Sequence, residues 1–368
     1  MERTAHIRKR LGQARRRLLQ HRSPKVQDIV RSIPEALWRR EIARHVDDMQ
    51  VIRGAGAETY EFGINPHPAI RKEMHFARRH VYRMNNLLVH PRTGACRTDK
   101  HLFQESYGSM RRCIVENPFP PVKARRQKVC GLVTCIHATG YYHFLLEEIP
   151  RLLWVVARFP EARVLISDRA PSFARQILDM LTLNRAIRGW EIVSSRDTLL
   201  CDDYAFAQAE AYSGFIHSSD LSILLQHVCG GQSVGLNDNL RNVYISRKEA
   251  SRSFDNEAYV EDMFSEQGYD VVYSERLNFH DQIALFQSAR TVVAGHGAGL
   301  ANLVWCQDGT RVIELFSPKY FNDCYARLSV SMNLTYQPFW AAPSGRWGSI
   351  DVSGLKKMVF GPHEAARI

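Results

Sequence analysis

Long apolar runs are missing from this chain of 368 residues. The longer runs, such as residues 152–157 and 283–286, fall far short of the roughly 18 residues that a membrane-spanning helix needs. The charged N-terminus is not followed by the apolar core of a secretion signal, so we expect a cytoplasmic protein. The 8 cysteines form no CxxC pair and no dense framework, which excludes a disulfide-stapled scaffold and predicts buried thiols.

Glycine and proline are not enriched either, with 22 and 15 residues. Together with 45% hydrophobic and 24% charged residues, this excludes a fibrous or largely disordered chain. The length predicts two or three domains with a substantial core.

The net charge of +11 is concentrated at one end. Residues 1–45 hold 13 Lys or Arg against 4 Asp or Glu, so the remainder is close to neutral. Residues 1–22 resemble a basic helix that rests on an anionic membrane surface, here the inner face of the membrane. A solvated arm or a contact in a homo-oligomer explains the charge equally well. No nucleic-acid motif accompanies it, so nucleic acid is not an expected partner.

From residue 129 onward, short β-branched runs alternate with helical periodicity, which indicates βαβ units and an α/β fold. The pattern predicts strands at 129–137, 163–167, 191–194, 198–207, 242–246, 270–273, 291–294 and 311–315, and helices at 142–158, 172–183, 220–228, 256–267, 280–288, 297–304 and 349–360. Residues 50–128 give no assignable pattern. A Gly-, Asn- and Ser-rich linker at 230–239 predicts the main domain boundary.

The most distinctive segment is Gly295-His296-Gly297-Ala298-Gly299, which follows an apolar strand and leads into a helix. Glycines allow backbone amides to approach a ligand closely, and the helix directs its positive end at an anion. A histidine at this turn can donate a hydrogen bond to a phosphate oxygen. The turn therefore predicts a phosphate site, although a tight turn without a ligand would use the same glycines.

A second cluster, His143 and Glu147, shares one helical face just after a strand, so the carboxylate can orient the imidazole or either group can act as a base. A third cluster begins with Arg247, which a strand delivers to its C-terminal end as a fork-shaped cation for phosphate. Glu314 has two readings: it binds a ribose hydroxyl, or it is one polar residue at a strand end.

The order of these segments resembles glycosyltransferase family 61. The resemblance is carried by YYHFLLEEIPRLL (141–153), YISRK (244–248), NE (256–257), GHGAGLANLVW (295–305) and VIEL (312–315), and covers about residues 129–360. Positions that match the family motifs include Lys248, Asn256, Glu257, Leu300 and Asn302. Asn256 also fits a helix N-cap, and Asn302 fits a helix face without any ligand.

The resemblance implies a GT-B-like architecture: two Rossmann-like domains facing each other across a cleft. With the helical arm at 1–49, the domains would be an acceptor-side domain at 50–232, a nucleotide-sugar domain at 233–345 and a C-terminal helix and tail at 346–368. It also implies inverting transfer from a nucleotide-sugar, UDP being the family expectation, to a glycan or glycolipid of a surface or capsular polysaccharide. No cofactor or metal is expected, and the sequence contains no Asp-x-Asp motif.

In this interpretation, Arg247 and the glycine-turn amides neutralise the departing diphosphate, and His143 or Glu147 is the base. A homologue that binds nucleotide-sugars without transferring them stays an alternative. A serine hydrolase is a remote alternative, since Gly231-Gln232-Ser233-Val234-Gly235 matches G-x-S-x-G but does not lie between a strand and a helix. The glycine turn lacks the G-x-G-x-x-G spacing of a dinucleotide oxidoreductase.

Overall fold

The computed structural model describes residues 46–62, 68–98, 102–103, 106, 126–138, 140–210, 213–214, 216–228 and 240–361. The linker predicted at 230–239, Ser233 and nearly all of the predicted arm lie outside these residues. Residues 46–49 belong to a strand, so the arm predicted over 1–49 overlaps the first strand of the fold.

The chain forms a mixed α/β structure, as predicted. The strands are β1 (Val46–Arg53), β2 (Gly56–Thr59), β3 (Glu73–Phe76), β4 (Arg79–Val89), β5 (Cys96–Arg97), β6 (Arg126–Ile136), β7 (Arg163–Ser167), β8 (Trp190–Val193), β9 (Thr198–Ala207), β10 (Arg241–Ile245), β11 (Asp270–Val272), β12 (Ala289–Gly295), β13 (Arg311–Phe316) and β14 (Thr335–Trp340). The helices are α1 (Tyr141–His143, Phe144–Glu148 and Ile149–Arg158 in succession), α2 (Ser172–Leu183), α3 (Ser218–Val228), α4 (Glu257–Glu266), α5 (Phe279–Gln287), α6 (Cys324–Ser331) and α7 (Val352–Phe360), with 3₁₀ turns at Ser274–Arg276 and Ala298–Trp305.

The first sheet has the strand order β1-β4-β9-β6-β7-β8, with β5 beside β4. Strands β9, β6, β7 and β8 are parallel, whereas β1 and β4 add an antiparallel edge. This edge falls in the region where the sequence gives no assignable pattern. The C-terminal end of β6 leads directly into α1, which places the His143 segment at the carboxyl edge of the parallel strands.

The second sheet is fully parallel, with the order β11-β10-β12-β13-β14. Buried β-branched residues such as Val292, Val293 and Ile313 fill its central strands, as expected for a sheet covered on both faces. From β10 the chain crosses to β11 on one side of it, and the later strands β12, β13 and β14 lie on the other side. Open α/β sheets bind ligands outside the carboxyl ends of the strands at such a switch point. Arg247 follows β10 and the glycine turn follows β12.

Helix α1 is not a regular α-helix throughout, which the sequence pattern does not predict. Its segment Phe144–Glu148 is π-helical, and the Ile149 N–H bonds to the carbonyl of Phe144. Pro150, which follows this segment after Ile149, has no N–H to donate to the residue four positions earlier, and its ring needs room in that turn. The wider turn supplies that room and is a feature frequent at functional sites.

Most predicted elements after residue 129 are confirmed, with boundaries shifted by a few residues. The segment predicted as a helix at 297–304 is 3₁₀ rather than α. The prediction that all cysteines are buried is wrong for Cys130, which is exposed. A bulge between Val129 and Leu132, with Gly131 at φ +79°, turns it outward. In the described parts of the chain, no helix is long and apolar enough to cross a bilayer.

Candidate functional site

A cavity of about 220 Å³ lies between the carboxyl ends of the two sheets. Its lining comes from both halves of the chain: Gly140, Tyr141, Tyr142, His143, Ser213 and Gly214 from the first, and Arg252, His296, Gly297, Ala298, Tyr320, Asn322, Cys324 and Tyr325 from the second. The structure therefore brings His143 and the glycine turn, which are more than 150 positions apart in the sequence, to one site.

The glycine turn is in direct contact with Arg247. A Cβ at Gly297 would overlap the Arg247 guanidinium, and a Cβ at Gly295 would lie 2.7 Å from Arg247 Cδ. Gly295 and Gly297 thus permit the close approach of a side chain, whereas the sequence pattern suggested the close approach of a ligand. Ala298 and Gly299 begin the 3₁₀ helix, so their N–H groups have no partner within it.

Arg247 is a partly buried cation without a counterion in the described part of the chain. Its Nε donates to the Arg252 carbonyl at 3.3 Å, and no carboxylate of the described residues forms an ion pair with its guanidinium. Burial and the neighbouring charge of Arg252 lower its pKa. A desolvated guanidinium favours a bound anion, and its fork geometry matches phosphate.

His143 and Glu147 form the pair that their spacing predicts. His143 Nδ1 lies 2.9 Å from Glu147 Oε2, and this contact raises the pKa of His143. The carboxylate accepts the Nδ1 proton, which leaves Nε2 as the basic nitrogen of the neutral ring. The His143 side chain is 44% exposed, so a substrate can reach it, whereas Glu147 is 17% exposed.

His296 has a carboxylate partner of its own. Its Nδ1 is hydrogen-bonded to Glu314, which also accepts from the Tyr336 hydroxyl. The ring is surrounded by Tyr320 and Tyr325, each 5.1 Å away between ring centroids, and lines the cavity. Glu314 is fully buried, which raises its pKa. The structure thus places Glu314 near the C-terminal end of β13, as a buried polar residue beneath His296.

Asn302 is fully buried and connects the halves. Its Oδ1 accepts from the Tyr141 hydroxyl at 2.6 Å and from Trp305 Nε1 at 3.1 Å, while Nδ2 donates to Gln282 Oε1 at 2.7 Å. Tyr141 begins α1, two residues before His143. Asn302 therefore holds the start of α1 against the 3₁₀ helix that follows the glycine turn.

The other predicted residues lie around the cavity rather than in its wall. Glu257 is buried and accepts from the Arg247 N–H at 2.8 Å, so it supports the loop after β10. Asn256 stands at the N-cap of α4, but its side chain pairs with both backbone groups of Ile350. Lys248 is exposed and pairs with Glu261 on α4 at 2.9 Å. Leu300 is buried in the core.

Several cavity residues could not be singled out from the sequence pattern. Arg252 lines the cavity, and its guanidinium lies 4.5 Å from the Tyr320 ring centroid. Ser213 and Asn322 sit in loops that carry no recognisable motif. The described residues contain no group of three or more His, Cys, Asp or Glu side chains that could hold a metal ion.

A histidine paired with a carboxylate thus lies across a cavity from a glycine turn that packs on an arginine, an arrangement at the carboxyl ends of parallel strands that would suit a phosphate-bearing substrate. The family model named Glycosyltransferase 61 matches residues 141–313, a range that holds each predicted site residue except Glu314. Residues 141–313 therefore carry a domain of this family, as the motifs suggested, and the family is one of glycosyltransferases. A search of curated proteins gave no match.

Proposed function

We propose that this glycosyltransferase is an inverting, metal-independent enzyme that takes a sugar from a nucleoside diphosphate donor, UDP being the first choice. One observation carries the proposal: the cavity has His143 with its carboxylate on one wall and the glycine turn, backed by Arg247, on the other. An acceptor and a donor diphosphate that enter from these two sides would meet between them.

The chemistry divides between the two walls. Nε2 of His143 takes the proton of the acceptor hydroxyl as its oxygen attacks the anomeric carbon from the face opposite the diphosphate. The new carbon–oxygen bond forms as the bond to the diphosphate oxygen breaks, and the diphosphate leaves with that electron pair. Arg247, His296 and the amides of Ala298 and Gly299 neutralise the charge that develops on it.

A titration with UDP, GDP, CDP and ADP, by calorimetry and thermal shift with and without EDTA, tests the donor assignment. A ligand that binds only the folded state raises its apparent stability by mass action. We expect UDP to bind and to keep its affinity in EDTA. Binding of none of the four would contradict the phosphate site, and loss of binding in EDTA would contradict metal independence.

Two variants separate binding from transfer. Arg247→Ala removes a charge-assisted contact worth about 1.5–3 kcal/mol, so UDP affinity should fall at least about tenfold. Arg290→Ala, which replaces an exposed arginine at the opposite end of β12, is its matched control.

His143→Ala should abolish transfer and keep UDP affinity, and His280→Ala, which replaces an exposed histidine, is the control. Transfer by His143→Ala would remove its assignment as the base. Binding without transfer in the wild type would indicate the inactive homologue.

The acceptor in this proposal is a hydroxyl of a glycan or glycolipid in surface or capsular polysaccharide synthesis, at the cytoplasmic side of a membrane. The support is the excess of positive charge at residues 1–22, which would be attracted to anionic lipid. Deleting residues 1–22 should reduce binding to vesicles that contain phosphatidylglycerol. Unchanged binding would remove the membrane contact and leave the solvated arm or an oligomer contact.

A further inference from the structure

Glu147 is held by a short segment that lies outside α1. The Gly214 N–H donates to Glu147 Oε1 at 2.7 Å, and the Ser213 hydroxyl donates to the same oxygen at 2.8 Å. The Ser213 oxygen also lies 3.1 Å from His143 Nδ1. Both donors fix the carboxylate with its other oxygen, Oε2, directed at His143. The orientation of the imidazole thus depends on where residues 213–214 lie.

Residues 213–214 are in turn held by the second half of the chain. The carbonyl of Gly214 accepts from Arg327 Nη2 on α6 at 2.7 Å. Gly214 has φ +85°, a left-handed conformation that favours glycine. Both of its backbone groups are hydrogen-bonded to side chains. Its N–H donates to Glu147 in the first half of the chain, and its carbonyl accepts from Arg327 on α6.

Arg327 cannot easily move, because it is buried beside the carboxylate of Asp323. Asp323 also accepts three hydrogen bonds from Arg71, including Nε at 2.9 Å and the backbone N–H at 3.0 Å. Burial alone would raise the pKa of Asp323, but the hydrogen bonds from Arg71 and the charge of Arg327 outweigh burial and lower it. The carboxylate therefore stays charged and holds both arginines in place.

We infer that Arg327 is a positioning residue for the base: it fixes Gly214, which orients Glu147, which orients His143. Helix α6 also carries Tyr325, which lines the donor side of the cavity. The half of the chain that faces the donor thus orients the base in the other half. This inference rests on the proposed role of His143, but its geometry can be tested without any substrate.

The test is an NMR pH titration of the His143 Cε1–H signal in protein labelled with ¹³C-histidine. His143→Gln identifies the signal among the 15 histidines. Arg327→Met releases Gly214, so Glu147 loses the donors that hold it and its contact with His143 loosens. We expect His143 to titrate at a lower pH than in the wild type, because the nearby carboxylate is what raises its pKa.

Arg311→Met is the matched control. Arg311 is also an arginine that donates to backbone carbonyls, those of Val359 and Met358, but it lies on β13 away from the cavity. Its replacement should leave the His143 titration unchanged. Arg327→Lys, which keeps a cation beside Asp323, should restore part of the wild-type titration. If Arg327→Met does not fold, Asp323→Asn weakens the same anchor with little change of volume and should give the same downward shift.

A His143 titration that is identical in folded Arg327→Met and wild-type protein would overturn the inference. In transfer assays, Arg327→Met should lower kcat by about 10- to 100-fold, the effect of a misplaced catalytic group, and change UDP affinity by less than about twofold. Failure of the proposed function looks different: UDP does not bind, or His143→Ala stays active, whatever Arg327→Met does to the titration.

Discussion

Replacing Gly297 with alanine tests the geometry of the glycine turn without changing any charge. Gly297 has φ 179°, an extended conformation that alanine also adopts, so the substitution introduces no backbone strain. The added methyl group would instead overlap the guanidinium of Arg247. Because this guanidinium is the far end of a flexible side chain, we expect Arg247 to move aside and the protein to stay folded.

In the proposed function, the displaced guanidinium would lose its position beside the donor diphosphate. A hydrogen bond to a charged group contributes about 1.5–3 kcal/mol, which corresponds to an affinity about 10- to 150-fold weaker for UDP. The melting temperature should change little, since the overlap is relieved when the flexible end of the Arg247 side chain moves aside. The variant thus separates a binding defect from a folding defect.

Calorimetric titration of Gly297→Ala with UDP measures this loss. Gly54→Ala is the control, because a Cβ there meets no atom within 4 Å. In an Arg247→Ala background, Gly297→Ala should cost almost nothing further, since the side chain it displaces is already gone. A UDP affinity within about twofold of the wild type in the single variant would refute the assignment of Arg247 to the diphosphate.

Three further predictions concern the carboxylates. Glu147→Gln should lower the pKa of His143, so the rise of the transfer rate with pH should begin at lower pH while its plateau falls, as a pH–rate profile would show; an unchanged profile would contradict the pairing. Glu314→Ala should destabilise the fold by about 1–3 kcal/mol in urea unfolding, because it leaves the buried Tyr336 hydroxyl without its acceptor; equal stability would contradict this. Asp323 has a lowered pKa, so its contribution to stability is present above pH about 4 and is lost as the pH falls further. The loss of unfolding free energy in Asp323→Asn should therefore be large at pH 7 and should shrink in acid. A loss that stays constant with pH would contradict the role of Asp323 in an ion pair.

The His143–Glu147 pair could be predicted because it is local. Positions four apart on a helix after a strand face each other whatever the rest of the fold does. The residues that hold Glu147, Ser213 and Arg327, could not be predicted, because they reach it only through tertiary structure. Glu314 shows the same limit, since the sequence pattern of a buried central strand does not say which side chains of other elements contact it.

The missed elements have local explanations. Strand β14 contains Pro338, and proline argues against a strand unless the strand lies at a sheet edge, which is where β14 lies. Helix α6 is buried on nearly all sides and includes Arg327 and Ser329 among its buried residues, so it lacks the polar and apolar faces that reveal a surface helix. Strand β1 is largely exposed, which removes the alternation that marks a half-buried strand.

The hydrogen bond between Tyr141 and Asn302 has a kinematic consequence for the cavity. It joins a point two residues before His143 to a point three residues after Gly299. A rotation of one half against the other that keeps this bond intact must have its axis close to it, and atoms near an axis move least. Such a rotation would widen the outer rim of the cavity for substrate entry, while the spacing between His143 and the glycine turn would stay nearly constant.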